Sequence, residues 1–67
     1  MSPHRLRVVL TRIRTERELT QRDLAKRAKV TEAYISQLES GSRKNPSLPV
    51  LKRLAKALGV PVTALLE

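Results

Sequence analysis

The chain has 67 residues with no cysteine, one histidine and a single aromatic residue, and its 14 Lys and Arg outnumber 6 Asp and Glu for a formal charge of +8. Those counts exclude disulfides and thiolate zinc sites, put a histidine-rich metal site out of reach, and leave room for one small domain over residues 1–67. So high a charge on so short a chain favours polyanionic partners, while the lone ring of Tyr34 argues against single-stranded or RNA targets, which are held by stacking bases on aromatic platforms.

No apolar run approaches the roughly 18 residues that a membrane span requires. Met1-Ser2-Pro3-His4 leads directly into a charged amphipathic stretch with no signal-peptide apolar block behind it. A cytoplasmic protein is expected, and the missing cysteines fit a reducing compartment.

In chain order, residues 4–17 predict a first helix. Leu6, Val9, Leu10 and Ile13 follow the spacing of one buried stripe. Ser2 and Pro3 suit its N-cap and first turn, and Arg5, Arg7, Arg12, Arg14 and Arg17 cover its other surface. Thr20-Gln21-Arg22-Asp23 has the form of a capping box and predicts a second helix running to about Ala28. Thr31 predicts the N-cap of a third helix that runs to about Ser40, with Gly41 as its stop. A polar, basic loop follows over Ser42-Arg43-Lys44-Asn45-Pro46. Ser47 then caps a fourth helix, buried through Leu51, Leu54, Ala55 and Leu58 and ended by Gly59. Pro61 predicts the opening of a short last helix carrying Val62, Leu65 and Leu66.

The expected fold is therefore all-α, a compact five-helix domain. Leu6, Leu10, Ile13, Leu19, Leu24, Ala25, Ala28, Val30, Ile35, Leu38, Leu51, Leu54, Leu58 and Val62 are expected to line its core. The second and third helices, broken at Lys29-Val30, have the sequence form of a helix-turn-helix, whose exposed second member can lie in the major groove of DNA.

Several stretches together resemble the lambda-repressor-like, or Xre/Cro-type, helix-turn-helix domains. They are Arg14-Thr15-Glu16-Arg17-Glu18-Leu19-Thr20-Gln21, Leu24-Ala25, and Tyr34-Ile35-Ser36-Gln37-Leu38-Glu39-Ser40-Gly41. Asn45-Pro46-Ser47-Leu48 and Leu54-Ala55-Lys56-Ala57-Leu58-Gly59-Val60 complete the set. The resemblance covers nearly the whole chain. Two positions depart from it: Lys29 stands where the family usually has glycine in the inter-helix turn, and Glu18 where many relatives have glycine after the first helix.

The resemblance implies a DNA-phosphate contact for Gln21, and an N-cap that also touches phosphate at Thr31. It implies that Arg43 and Lys44 track the sugar-phosphate strand. It further implies an ion pair of Arg14 with Glu39, with Arg14 also leaning toward phosphate. On the residues themselves, Tyr34 flanks the core edge with its hydroxyl toward phosphate. Glu32, Ala33, Ser36 and Gln37 share the outer face of the third helix. Gln37 suits adenine, Glu32 the cytosine amino group and Ala33 a thymine methyl. One such helix reads only a few base pairs, so a homodimer on a pseudo-palindromic double-stranded operator is expected. Val60, Val62, Leu65 and Leu66 are its candidate interface, with Val62 inward and Leu65 or Leu66 toward the partner.

These expectations amount to a sequence-specific transcriptional regulator, a repressor or small controller protein. The alternative is a protein-interaction module of the same fold, such as an antitoxin or a bridging adaptor. No catalytic constellation, metal ligand set or cofactor motif is visible, so neither an enzyme nor a cofactor is expected.

Overall fold

The first four helices of this chain end where the backbone is given somewhere else to go, and those stops set the architecture. The computed structural model describes residues 3–66, with side chains from Arg5 onward. Among these residues the elements are α1 (Pro3–Glu16), α2 (Gln21–Ala28), α3 (Glu32–Ser40), α4 (Leu48–Leu58) and α5 (Thr63–Leu66), with no strand. The predicted N-cap at Ser2 lies outside the described residues.

The starts follow side-chain chemistry. Thr20 forms a complete capping box with Asp23: the Asp23 N–H donates to Thr20 Oγ1 at 2.9 Å, and the Thr20 N–H donates to Asp23 Oδ2 at 3.0 Å. The Thr20 backbone bond, then the Thr20 side chain, hold the Asp23 carboxyl below its ordinary range. Thr31 accepts from the Tyr34 N–H at 3.0 Å and Ser47 from the Val50 N–H at 3.4 Å. Pro49 falls in the first turn of α4, where its missing N–H costs nothing. The last helix begins at Thr63 rather than at Pro61; Pro61 and Val62 form a tight turn closed by Ala64 N–H to Pro61 O and Leu65 N–H to Val62 O, each 2.9 Å.

Three of the stops are one device. After α1, α2 and α4 the chain places Glu18, Lys29 and Gly59 in the left-handed region, at φ 57°, 60° and 72°. The next amide then reaches back: Leu19 N–H to Arg14 O at 3.1 Å, Val30 N–H to Ala25 O and Val60 N–H to Ala55 O, both at 3.0 Å. This is the Schellman closure. It turns the apolar residue after the stop onto the core edge, so Leu19, Val30 and Val60 all sit half-buried there. Leu19, Val30 and Val62, expected inside, belong to this rim because they lie in turns rather than on a helix stripe. Gly41 ends α3 at φ 87°, and a side chain there would also meet Arg7, whose Cδ lies 3.1 Å from a Cβ built on it.

The core joins Leu6, Val9, Leu10 and Ile13 of α1 to Leu24, Ala25 and Ala28 of α2, Ile35 and Leu38 of α3, and Leu51, Leu54, Ala55 and Leu58 of α4. Packing is α2 on α3 and α4, α1 on α3 and α5, and α4 on α5. Small Ala25 and Ala28 allow α2 to lie close against its neighbours. Leu65 completes the core with no exposed surface. The expectation that it faces a partner is thereby corrected: α5 turns it inward to cover α1 and α4, and of the two leucines Leu66, 37% exposed, points outward.

Lys29 adopts the conformation that its departure from glycine made costly. Relief of about 1–2 kcal/mol of left-handed strain, less about 0.4–1 kcal/mol for the freer unfolded chain, leaves a net gain of about 1 kcal/mol for Lys29→Gly. Thermal unfolding should show the midpoint of Lys29→Gly raised by about 4–8 °C for each such kcal/mol. An unchanged or lowered midpoint would contradict the strain assigned to this turn.

Candidate nucleic-acid interface

The outer face of α3 is set by what its inner face buries. Ile35 and Leu38 are sealed in the core, and at about 100° per residue this leaves Glu32, Ala33, Ser36 and Gln37 outside; all four are exposed. Thr31, at the start of the same helix, is exposed too. The four predicted base-facing side chains are therefore presented together on a helix whose other side is fixed.

One carboxylate locks that helix in place. Glu39 Oε2 accepts from Arg14 Nε at 2.7 Å, and Oε1 accepts from Arg14 Nη2 at 3.0 Å and from Gln21 Nε2 at 3.1 Å. Arg14 Nη1 donates to Leu19 O at 2.6 Å, on the turn after α1. The two-point pair is nearly closed to solvent, with side-chain exposures of 13% for Arg14 and 7% for Glu39. The bond to Glu39 raises the Arg14 pKa against the opposing effect of burial. The expected ion pair is thus present, and it leaves Arg14 little surface for the phosphate contact that is also expected of it. Three of its N–H groups are used inside the fold and its side chain has little surface left.

Gln21 is brought to the same spot but only half-buried. One N–H of its amide goes to Glu39, which leaves a second N–H on the same nitrogen. Because the capping box occupies the N–H groups of Thr20 and Asp23, the Gln21 and Arg22 amides remain at the open end of α2, where the helix dipole favours an anion.

The C-terminal end of α3 is wrapped by the basic loop. Gln37 O accepts from the Arg43 N–H at 3.1 Å and from Ser40 Oγ at 3.1 Å. The Arg43 guanidinium lies over the Tyr34 ring, 4.9 Å from its centroid, and its Nε donates to Gln37 Oε1 at 3.1 Å. Tyr34 is half-buried against the core, and Arg43 and Lys44 are exposed. Sequence reading placed Gln37, Tyr34 and Arg43 separately but missed that they touch. Its only signal was spacing: the loop returns on the helix end just after Gly41.

A second basic surface also went unnoticed. Arg27, Lys29, Arg53 and Lys56 line, with Ala57, an open cleft of about 390 Å³ between the end of α2 and α4. Arg53 Nε donates to Ala28 O at 3.0 Å, so one of these cations serves the carbonyl end of α2.

The fold that carries this surface is shared with known proteins. The helix-turn-helix family profile matches residues 10–65. The chain belongs to the helix-turn-helix family. Over 53 residues, 79% of this chain, it is 45% identical to the immunity repressor protein of Bacillus phage phi105. Its fold superposes on the restriction-modification controller protein C.AhdI from Aeromonas hydrophila with a TM-score of 0.87, at 31% identity and 91% coverage of both chains. The master regulator for biofilm formation SinR, solved in complex with DNA, gives a TM-score of 0.88 at 29% identity, covering 92% of this chain and 98% of that one. The chain spans less than half the length of the first two curated relatives that it matches, 36% and 44%.

The near-buried pair that holds this helix-turn-helix makes a sharp prediction. Arg14→Ala leaves the largely enclosed Glu39 without a counter-charge, with only the Gln21 amide still donating to it, and should cost about 3–5 kcal/mol in urea unfolding. Replacing both partners with apolar residues of similar volume, Arg14→Met with Glu39→Leu, should recover most of that loss. Equal destabilisation by the single and double variants would show that the pair contributes net stability beyond charge compensation.

Proposed function

We propose that residues 1–67 act as one double-stranded DNA-binding unit of a transcriptional regulator, reading the major groove with the outer face of α3. The observation that carries this reading is the arrangement around that face. Glu32, Ala33, Ser36 and Gln37 project from a helix fixed by Ile35, Leu38 and Glu39. Groups suited to phosphate adjoin the same helix, Gln21 with the α2 amide end at Glu39 and Arg43 with neighbouring Lys44 at Gln37. The DNA-bound state of SinR and the repressor name of the phage relative support the same reading.

The work divides between two sets of residues. Gln21, Thr31, Arg43, Lys44 and the Tyr34 hydroxyl contact the sugar-phosphate backbone and supply affinity. Glu32, Ala33, Ser36 and Gln37 supply selectivity, with Gln37 on adenine, Glu32 on the cytosine amino group and Ala33 on a thymine methyl. A carboxylate facing DNA is tolerated where it finds that amino donor, and Glu32 also lies in the first turn of α3, where the dipole favours it. Regulation acts by repression or as a small controller, in a bacterial or phage cytoplasm.

The functional form is a homodimer on a pseudo-palindrome. The Cα trace measures 24 × 23 × 21 Å, whereas successive half-sites lie about 34–36 Å apart along the duplex. One copy therefore covers one half-site. With Leu65 in the core, the partner surface is Leu66 with the half-buried Val60 and Val62 beside it.

Selection of bound duplexes from a random pool, read at two salt concentrations, tests the proposal. Gln37→Ala should lose about 1–3 kcal/mol of discrimination at one base pair, whereas Lys44→Ala should weaken all sequences alike and reduce the salt slope by about one. A pool that yields no enriched sequence would overturn the assignment. For assembly, Leu66→Asp should shift sedimentation to monomer without loss of fold, and an unchanged dimer would remove this surface.

A further inference from the structure

Arg43 meets Gln37 in a way that a plain phosphate contact does not require. A glutamine amide is nearly symmetric in shape, and turning it over exchanges its donor and acceptor ends. On an exposed helix face nothing about its size decides which end meets a base. Here the choice is made by the protein itself. The N–H at Arg43 Nε can only donate, so the group 3.1 Å away is the Gln37 oxygen, and the amide is held with that oxygen toward the loop. Arg43 is held in turn. Its guanidinium lies over the ring of Tyr34, 4.9 Å from the centroid, Tyr34 is half-buried against the core, and the Arg43 backbone N–H donates to Gln37 O at 3.1 Å. The chain of contacts runs from the core through the ring and the guanidinium to the amide.

We propose that Arg43 is a selectivity residue, acting by positioning the Gln37 amide rather than by contacting phosphate alone. The proposal rests on α3 reading the major groove. The bond from Nε takes one lone pair of Gln37 Oε1, and leaves the second lone pair and both N–H groups of Nε2, the set that a two-point contact with adenine uses. It also leaves the two terminal nitrogens of Arg43 for a phosphate oxygen. Arg43 thereby ties a backbone contact to the base contact: a duplex that seats its phosphate on Arg43 finds Gln37 already oriented. Lysine cannot take this part. It carries the same charge but has no planar fork to stack on Tyr34 while donating in plane.

The experiment measures, by competition binding, affinity for the selected duplex and for duplexes changed at the base pair that Gln37→Ala identifies. A two-point contact discriminates by several-fold to about 100-fold. Arg43→Ala should lower affinity for every duplex and also collapse that ratio toward one. Arg43→Lys should restore the affinity and its salt dependence, but not the ratio. If both variants keep the wild-type ratio, Arg43 is a phosphate contact only and the proposal is overturned. Restoration of the ratio by lysine would overturn it too, since charge would then suffice. These outcomes differ from failure of the underlying reading, in which the wild-type chain shows no preferred duplex or Gln37→Ala changes no base preference.

Discussion

Glu39 is the constraint on which the rest of the structure depends. Its two oxygens accept from Arg14 of α1 and Gln21 of α2 while its backbone belongs to α3, so one carboxylate joins three helices. The apolar stripe of α3 has only Ile35 and Leu38 fully inside, and two side chains define a buried side better than they define a rotation or a shift along the axis. The paired hydrogen bonds of Arg14 are directional and supply what the stripe lacks. Because Arg14 neutralises Glu39, the carboxylate stands beside the open amide end of α2 without adding an uncompensated negative charge there.

Around that fixed point the chain separates tasks spatially. No Lys or Arg stands on the outer face of α3, where Glu32, Ala33, Ser36 and Gln37 are exposed. The cations stand at its margins and elsewhere, in the loop at Arg43 and Lys44 and around the cleft of Arg27, Lys29, Arg53 and Lys56. The high net charge thus raises capture of a polyanion without dictating which sequence is captured. At Gln37 the two sets meet, through Arg43.

Much of this was legible in the sequence because the signals were local. Thr20 with Asp23, Thr31 and Ser47 each announce a helix start through a side chain that reaches its own backbone, and all three do so. Helical spacing identified the core leucines of α1 and α4. The inference failed where the deciding contact is tertiary. In a four-residue helix, spacing does not distinguish Leu65 from Leu66, and only the placement of α5 against α1 and α4 does so. Arg14 is one of several arginines on α1, and no local pattern says that Glu39 and Leu19 draw this one into the fold. The stack of Arg43 on Tyr34 depends on where Gly41 returns the chain. Lys29 and Glu18 are the converse case. Both stand where the family usually has glycine, and both adopt the left-handed conformation because the Schellman closure is worth more to the fold than the strain it imposes.

The central claim is that the outer face of α3 meets the duplex. Titrating the isotopically labelled chain with its selected duplex and following backbone amide resonances tests this most directly. The account predicts that the largest shifts fall on Gln21 and Arg22, on Thr31 through Gln37, and on Ser42 through Lys44, with α5 quiet at the DNA contact. Shifts centred instead on Arg27, Lys29, Arg53 and Lys56, with the α3 face unmoved, would contradict it.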